Sequence, residues 1–305
     1  MTDDIIKEFK EFKPISKKQK QGEFNLNTLI DAGIFNETWK KIMFKFYDNE
    51  KRYNSVREVL GFSFSIIPFK ESIMSTCSNL FELDRALAMH LWYASGERDN
   101  DFITQYFPQY KYCIDDNHKL FNSNYGYYAY SLGLLDQCIM RLANTRNTRQ
   151  ACFCINNNEA MSYESIDKLC TNSIMFFIRE NKLEMFVQMR SSNILTLLPY
   201  DIFMFSKFYE YVLNGLNALS KEVDHGNIHM QIGSAHYYSE DIMAIVKRES
   251  YSQEMLSSFF KSLDVISSFM KKSLKNVKSD DNCFKSQNIL VDLSNIKTEE
   301  ENGKD

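Results

Sequence analysis

Residues 167–213 read DKLCTNSIMFFIRENKLEMFVQMRSSNILTLLPYDIFMFSKFYEYVL. An apolar strand is predicted over 172–178 and a second over 183–189, with Glu180-Asn181-Lys182 as the turn of a hairpin. The hairpin sets Cys170, at the mouth of the first strand, and Arg190-Ser191, at the end of the second, on one scaffold. A Pro199-Tyr200-Asp201 loop follows. Ile202, Phe205, Tyr209, Val212 and Leu216 then recur at helical spacing, with Asp201 in the N-cap position.

Composition limits the rest of the chain. With 305 residues, 44% of them hydrophobic and 14% aromatic, it can bury one large domain with extensions. Lys and Arg number 36 against 40 Asp and Glu, for a net charge of -4, so no basic field draws it to nucleic acid, and direct binding of a polymer is not expected. A free nucleotide is the better ligand. The seven cysteines form no CxxC pair and MTDDIIKEFKEF lacks the apolar run of a signal peptide, which places the chain in a reducing cytoplasm. No apolar window is long enough to span a membrane.

Along the chain, residues 1–35 form a polar, Lys-rich extension with no nameable chemistry. Behind an Asn36 cap, Trp39, Ile42, Met43, Phe46 and Tyr47 mark an amphipathic helix. The alternating half of KRYNSVREVLGFSFSIIP predicts a strand ending before Pro68. Leu80, Leu83, Leu87 and Leu91 stripe a helix that ends near Gly96, and Leu135, Ile139 and Leu142 stripe another. Cys152 and Cys154 share one face of a strand, where buried thiols are favoured over metal ligands. The main domain spans 36–250. Residues 251–278 read as an amphipathic helix, and the charged tail 279–305 as disordered.

Read together, Cys170, Arg190-Ser191, Asp201 and the segment NIHMQIGSAHYYSED resemble the thymidylate synthase and pyrimidine hydroxymethylase superfamily. FNSNYGYYAY resembles the Asn-Tyr-Gly turn of the hydroxymethylase branch, with Tyr125 as the active-site tyrosine, and LWYASGERDN the helix end that precedes it. The likeness covers about two thirds of the chain, roughly Tyr47 to Asp241. It implies an α/β (α+β) fold: a mixed sheet layered with helices and dimerising through the sheet face. It further implies Cys170 as nucleophile and a pyrimidine nucleoside monophosphate as ligand. The phosphate would be held by Arg190, Ser191 and Arg52, with Arg57 as rival to Arg52, and by Arg149 from the other subunit of a homodimer. His236 and Tyr238 would bond the sugar 3'-hydroxyl.

A pyrimidine is a poor nucleophile at C5, and a thiolate added at C6 makes it a good one. That requires a cysteine whose pKa is lowered by nearby positive charge, here Arg190 and the other phosphate arginines. Aspartate at 201, where thymidylate synthases carry asparagine, implies cytosine rather than uracil, because a carboxyl group complements an unprotonated N3 and a 4-amino donor. The implied reaction is hydroxymethylation of dCMP or CMP with 5,10-methylene-tetrahydrofolate. Three positions depart from the superfamily, all on the folate side: Met89 for a glutamate, Asn193 for an aspartate and Leu197 for a glycine. The second arginine of the pair at 149–150 is Gln150. These departures open an alternative, a catalytically weakened nucleotide-binding or scaffold member.

Overall fold

The computed structural model describes residues 26–31, 35–68, 81–99, 101–113, 122–156 and 166–247. The expectations for residues 1–25, 251–278 and 279–305 lie outside them. The described chain runs α1 (Leu26–Asp31), α2 (Glu37–Tyr47), β1 (Lys51–Tyr53), β2 (Val56–Ile66), α3 (Leu83–Ser95), α4 (Leu134–Asn144), β3 (Cys152–Cys154), β4 (Thr171–Arg179), β5 (Lys182–Asn193), α5 (Leu198–Ala218), β6 (Asp224–Tyr238) and α6 (Ser239–Lys247). Two 3₁₀ turns, Ile103–Gln105 and Pro108–Cys113, fill the aromatic stretch after α3, and a π-helical turn, Tyr127–Ser131, leads into α4.

The six strands form one mixed sheet in the order β1-β2-β6-β5-β4-β3. All neighbours are antiparallel except β5 and β6, which are parallel and joined through the long helix α5. The expected hairpin is β4–β5. Its turn is two residues, Glu180 and Asn181, both at positive φ (48° and 65°), and Lys182 is already in the strand opposite Arg179. Asn36 caps α2 by accepting from the Trp39 amide at 3.0 Å, and Gly96 ends α3 in the left-handed conformation.

Among the described residues, helices cover one face of the sheet only. Trp39 and Phe46 of α2 pack on Phe64, Phe62 and Tyr237, while the buried Tyr209 of α5 donates its hydroxyl to the Leu183 carbonyl at 2.8 Å. The other face is bare and forms cross-strand rows. One row is Ser63, Gln231, Gln188, Ser173 and Cys154, with Ser173 donating to Gln188 at 3.1 Å and Gln188 to Gln231 at 3.0 Å. The next is Ser65, His229, Phe186, Met175 and Cys152, with the His229 ring stacked on Phe186 at 4.3 Å.

Two expectations need correction. The boundary at residue 36 falls too late: Leu26, Leu29 and Ile30 are fully buried, because their i, i+3, i+4 spacing gives α1 an apolar stripe that docks in the core. Cys152 and Cys154 do share a face, but it is the bare one, so both thiols are exposed rather than buried.

At one level the sheet turns over. Below it, Phe62, Ile232 and Met189 form a row facing the helices; above it, the inward row is Val59, Ala235 and Ser192. The register stays unbroken between them, so β2, β6 and β5 kink together, and two successive rows face away from the helices. Those rows hold Gly61, Gly233 and Arg190, then Leu60, Ser234 and Ser191. Gly61 has φ +66°, and a Cβ on Gly233 would sit 2.7 Å from the Arg190 carbonyl oxygen. The kink is what lets consecutive residues Arg190 and Ser191 face the same way.

Candidate active site

The kinked end of the sheet gathers most of the sequence-derived residues. Cys170 immediately precedes β4, and its carbonyl accepts from the Arg190 amide at 2.8 Å. The Arg190 guanidinium folds back over the same segment, with Nε 2.8 Å from the Leu169 carbonyl and Nη2 2.9 Å from that of Lys168. The positive charge is therefore beside the thiol. Burial nevertheless outweighs it: the Cys170 thiol is pushed up to about 11, with Arg190 opposing and Asp201 and Asp167 adding to the rise. The expectation of a lowered pKa is thus not met in the single chain, because desolvation is the larger effect.

Asp201 is not an N-cap. Helix α5 begins three residues earlier, at Leu198, because Pro199 fits the first turn without a missing hydrogen bond, and Asp201 lies within that turn. Its carboxyl points back to the sheet, where Ser192 donates to it at 3.5 Å. Burial raises it from the ordinary 3.8 to about 7, and the Ser192 bond only partly opposes this. A carboxyl that is half protonated near neutrality can both donate and accept.

Tyr125 is buried, with its ring 5.6 Å from that of Tyr93. Its phenol is held far above its usual range, first by burial and then by the neighbouring Cys170 and Asp201. Gly126 explains its placement: a Cβ there would lie 1.9 Å from the Tyr93 carbonyl oxygen, so only glycine lets this turn sit on α3. Asn124 secures the same turn, its amide donating to the Trp92 carbonyl at 2.9 Å.

His236 and Tyr238 close β6, their rings 5.4 Å apart and edge to face. His236 lies beside Asn193 of β5 on one side and Glu58 of β2 on the other. Tyr238 is exposed, as is Arg149 in the loop before β3, whereas Arg146 is bound to the Lys221 carbonyl and to Asn181 at the opposite end of the sheet. Arg52 is not brought to this cluster. It faces Arg57 across the β1–β2 hairpin and donates to the Asn54 carbonyl at 3.0 Å, and Arg57 is 3.6 Å from Glu50.

The folate side differs in kind. Met89 is only 2% exposed, within the core. Asn193, also buried, has its amide occupied at both ends by protein, and the Leu197 side chain is half-buried. A thioether at 89 can neither take nor give a proton at neutral pH. Sequence reasoning passed over Ser192, the partner of Asp201, and Asp241, which bonds Asn193. Ser192 could have been found as the next inward position after Arg190-Ser191; Asp241 had no signal beyond its place after Tyr238.

Among the described residues no helix is long and apolar enough to cross a membrane. Over 128 residues the chain is 27% identical to the deoxycytidylate 5-hydroxymethyltransferases of Enterobacteria phages T4 and T2, a match covering 39% of this chain and 52% of each relative. It therefore spans about half the length of these curated relatives. The thermostable thymidylate synthase A of Bacillus subtilis superposes with a TM-score of 0.50 at 14% identity, over 70% of this chain and 84% of that one, which shows a shared fold. Residues 73–281, more than half of the chain, match the thymidylate synthase family model, and the chain belongs to the thymidylate synthase family.

Proposed function

We propose that the chain is a transferase acting at C5 of a cytidine monophosphate, dCMP or CMP, to give the 5-hydroxymethyl product. The observation that carries the base assignment is the Asp201 carboxyl, which burial holds at about 7. Such a group shares a proton with cytosine N3 and accepts from the 4-amino group, whereas uracil presents N3–H and a carbonyl. Similarity to the phage deoxycytidylate 5-hydroxymethyltransferases supports the same substrate class.

In this reading Cys170 loses its proton and its sulfur bonds C6, the C5=C6 electrons moving towards C5 and the ring. After C5 takes up the one-carbon unit it would give its proton to solvent, tetrahydrofolate would leave that carbon as water adds to it, and expelling the sulfur would restore the C5=C6 double bond. Tyr125 lies beside the thiol as a neutral phenol, able to donate but not to act as a phenolate. Arg190 and Ser191 bind the phosphate, Arg52 having no place in this cluster, and Arg149 reaches it from the second copy of a homodimer joined through the bare sheet face. Each added guanidinium also favours the Cys170 thiolate. His236 and Tyr238 hold the sugar. Methylene-tetrahydrofolate supplies the one-carbon unit, already at the right oxidation level. The free thiols among the described residues suit a cytoplasmic setting.

Alkylation followed by peptide mass spectrometry at pH 9, where more of the thiol is ionised, tests this. Cytidine monophosphates should protect Cys170 more than any other cysteine, and Cys170→Ser should abolish adduct formation. Asp201→Asn should shift preference towards dUMP by about tenfold to a hundredfold, the worth of a charge-assisted hydrogen bond. Tighter binding of dUMP by the wild type would sink the base assignment.

Met89 favours a second reading, a weakened member that still binds nucleotide. A thioether cannot relay a proton, and general acid–base groups contribute about a hundredfold to ten-thousandfold in rate. In that case tritium at C5 exchanges with solvent while product formation with methylene-tetrahydrofolate stays slow. Rapid product formation excludes this second reading.

A further inference from the structure

We propose that Asp241 is a positioning residue that couples the sugar end of the site to the base end. The proposal rests on the nucleotide reading above and concerns how its two halves are held together. Asp241 lies in the first turn of α6, three residues after Tyr238. Its Oδ2 accepts from the Tyr238 amide at 2.8 Å and from the Asn193 side-chain amide at 2.7 Å. The first bond fixes the end of β6, where His236 and Tyr238 stand. The second reaches β5, in which Asn193 is the register partner of His236, and the Ile194 amide adds a 2.8 Å bond to the His236 carbonyl.

Asn193 carries the connection onward. Its Oδ1 accepts from the Leu195 and Thr196 amides at 3.0 and 3.2 Å, and so shapes the turn that enters α5. The Leu197 carbonyl at the end of that turn accepts from the Asp201 amide at 3.0 Å. With the Leu197 amide donating to the Asn193 carbonyl at 3.2 Å, a run of hydrogen bonds leads from Tyr238 through Asp241, Asn193 and the Leu197 backbone to the Asp201 amide at the start of α5. An amide suits the middle of the run, since it accepts at one end and donates at the other. An aspartate at 193 would still accept from the turn, but would set two carboxylates in contact.

The chemistry on the two sides of the run differs, which makes the coupling measurable. Comparing dCMP with 2',3'-dideoxy-CMP reports the sugar contact, and comparing dCMP with dUMP reports the base contact. Both affinity ratios are read by equilibrium dialysis on the full chain. Asp241→Ala should reduce both ratios together, each by about tenfold, the scale of a hydrogen bond to a charged group. Asp241→Asn, which keeps one acceptor oxygen, should fold normally and lose part of each ratio. Asn193→Asp should lower both as well. The exchanged pair, Asn193→Asp with Asp241→Asn, should restore both, because amide and carboxylate have only traded places. A merely structural role lowers all three affinities equally and leaves the ratios fixed, which overturns the coupling. It also fails if only one ratio moves, or if the exchanged pair folds without restoring them. If no pyrimidine nucleotide protects Cys170, the nucleotide reading itself falls and takes this proposal with it; protection with unmoved ratios removes the coupling alone.

Discussion

At Asp201 a single buried carboxyl ties proton binding to the stability of the fold. Its folded pKa of about 7 lies above the ordinary 3.8, so the folded chain binds this proton more tightly than the unfolded chain does. The stability it contributes is fully present below about pH 4 and is lost as pH rises through 7. Against wild type, Asp201→Asn should therefore gain melting temperature between pH 5 and pH 8, by a few degrees at the upper end. Parallel melting curves for the two proteins across that range would show that Asp201 stays neutral or is solvated, and the base-reading role would go with it. The identities of Cys170, Arg190 and Asp201 were legible from chain order, but their ionisation was not. A pKa is set by everything packed around a group, and the burial that lifts Cys170 to about 11 comes from residues distant in sequence.

Among the elements, hydrophobic periodicity located α2, β2, α3, α4 and the β4–β5 hairpin. The start of α5 was misplaced because the Pro199-Tyr200 pair looks like a loop, although proline suits a first helical turn. The Asn124-Tyr125-Gly126 turn was recognised as a turn; its reason lies in α3, against whose backbone it is pressed. Gly126→Ala should accordingly destabilise the protein by about 1–3 kcal/mol, the usual cost of forcing a methyl group into a filled space. It should also shift Tyr125 from its place against Tyr93, so that nucleotide-dependent protection of Cys170 weakens in urea-free buffer. A variant with wild-type urea midpoint and protection would mean that the turn has room to shift.

For the whole molecule, the one-sided layering is the main fact. Among the described residues helices cover a single face, and the bare face presents Phe186, His229 and two exposed thiols beside a ladder of glutamine and serine. A second copy pairing through that face would bury both rows. Sedimentation at micromolar concentration should show a dimer, and alkylation of Cys152 and Cys154 should slow as concentration rises. A monomer whose two thiols react at a concentration-independent rate would contradict this. Alternation along β3 predicted that Cys152 and Cys154 share a face, but which face carries helices depends on the chain's crossovers and could not be read locally.

The shared kink through Gly61, Gly233 and Arg190 divides each of the three strands into two reading frames. Upstream of Gly233 in β6, the frame keeps Ile228, Met230 and Ile232 in the core; downstream, it presents His236 and Tyr238. Deleting Ser234 would leave the first frame untouched and invert the second, swinging His236 and Tyr238 towards the helices and Tyr237 outward. Because Tyr237 packs on Phe46 in the core, the same one-residue loss would unseat the helix-facing layer and the outward-facing side chains together, so this stretch of β6 has no slack in its length.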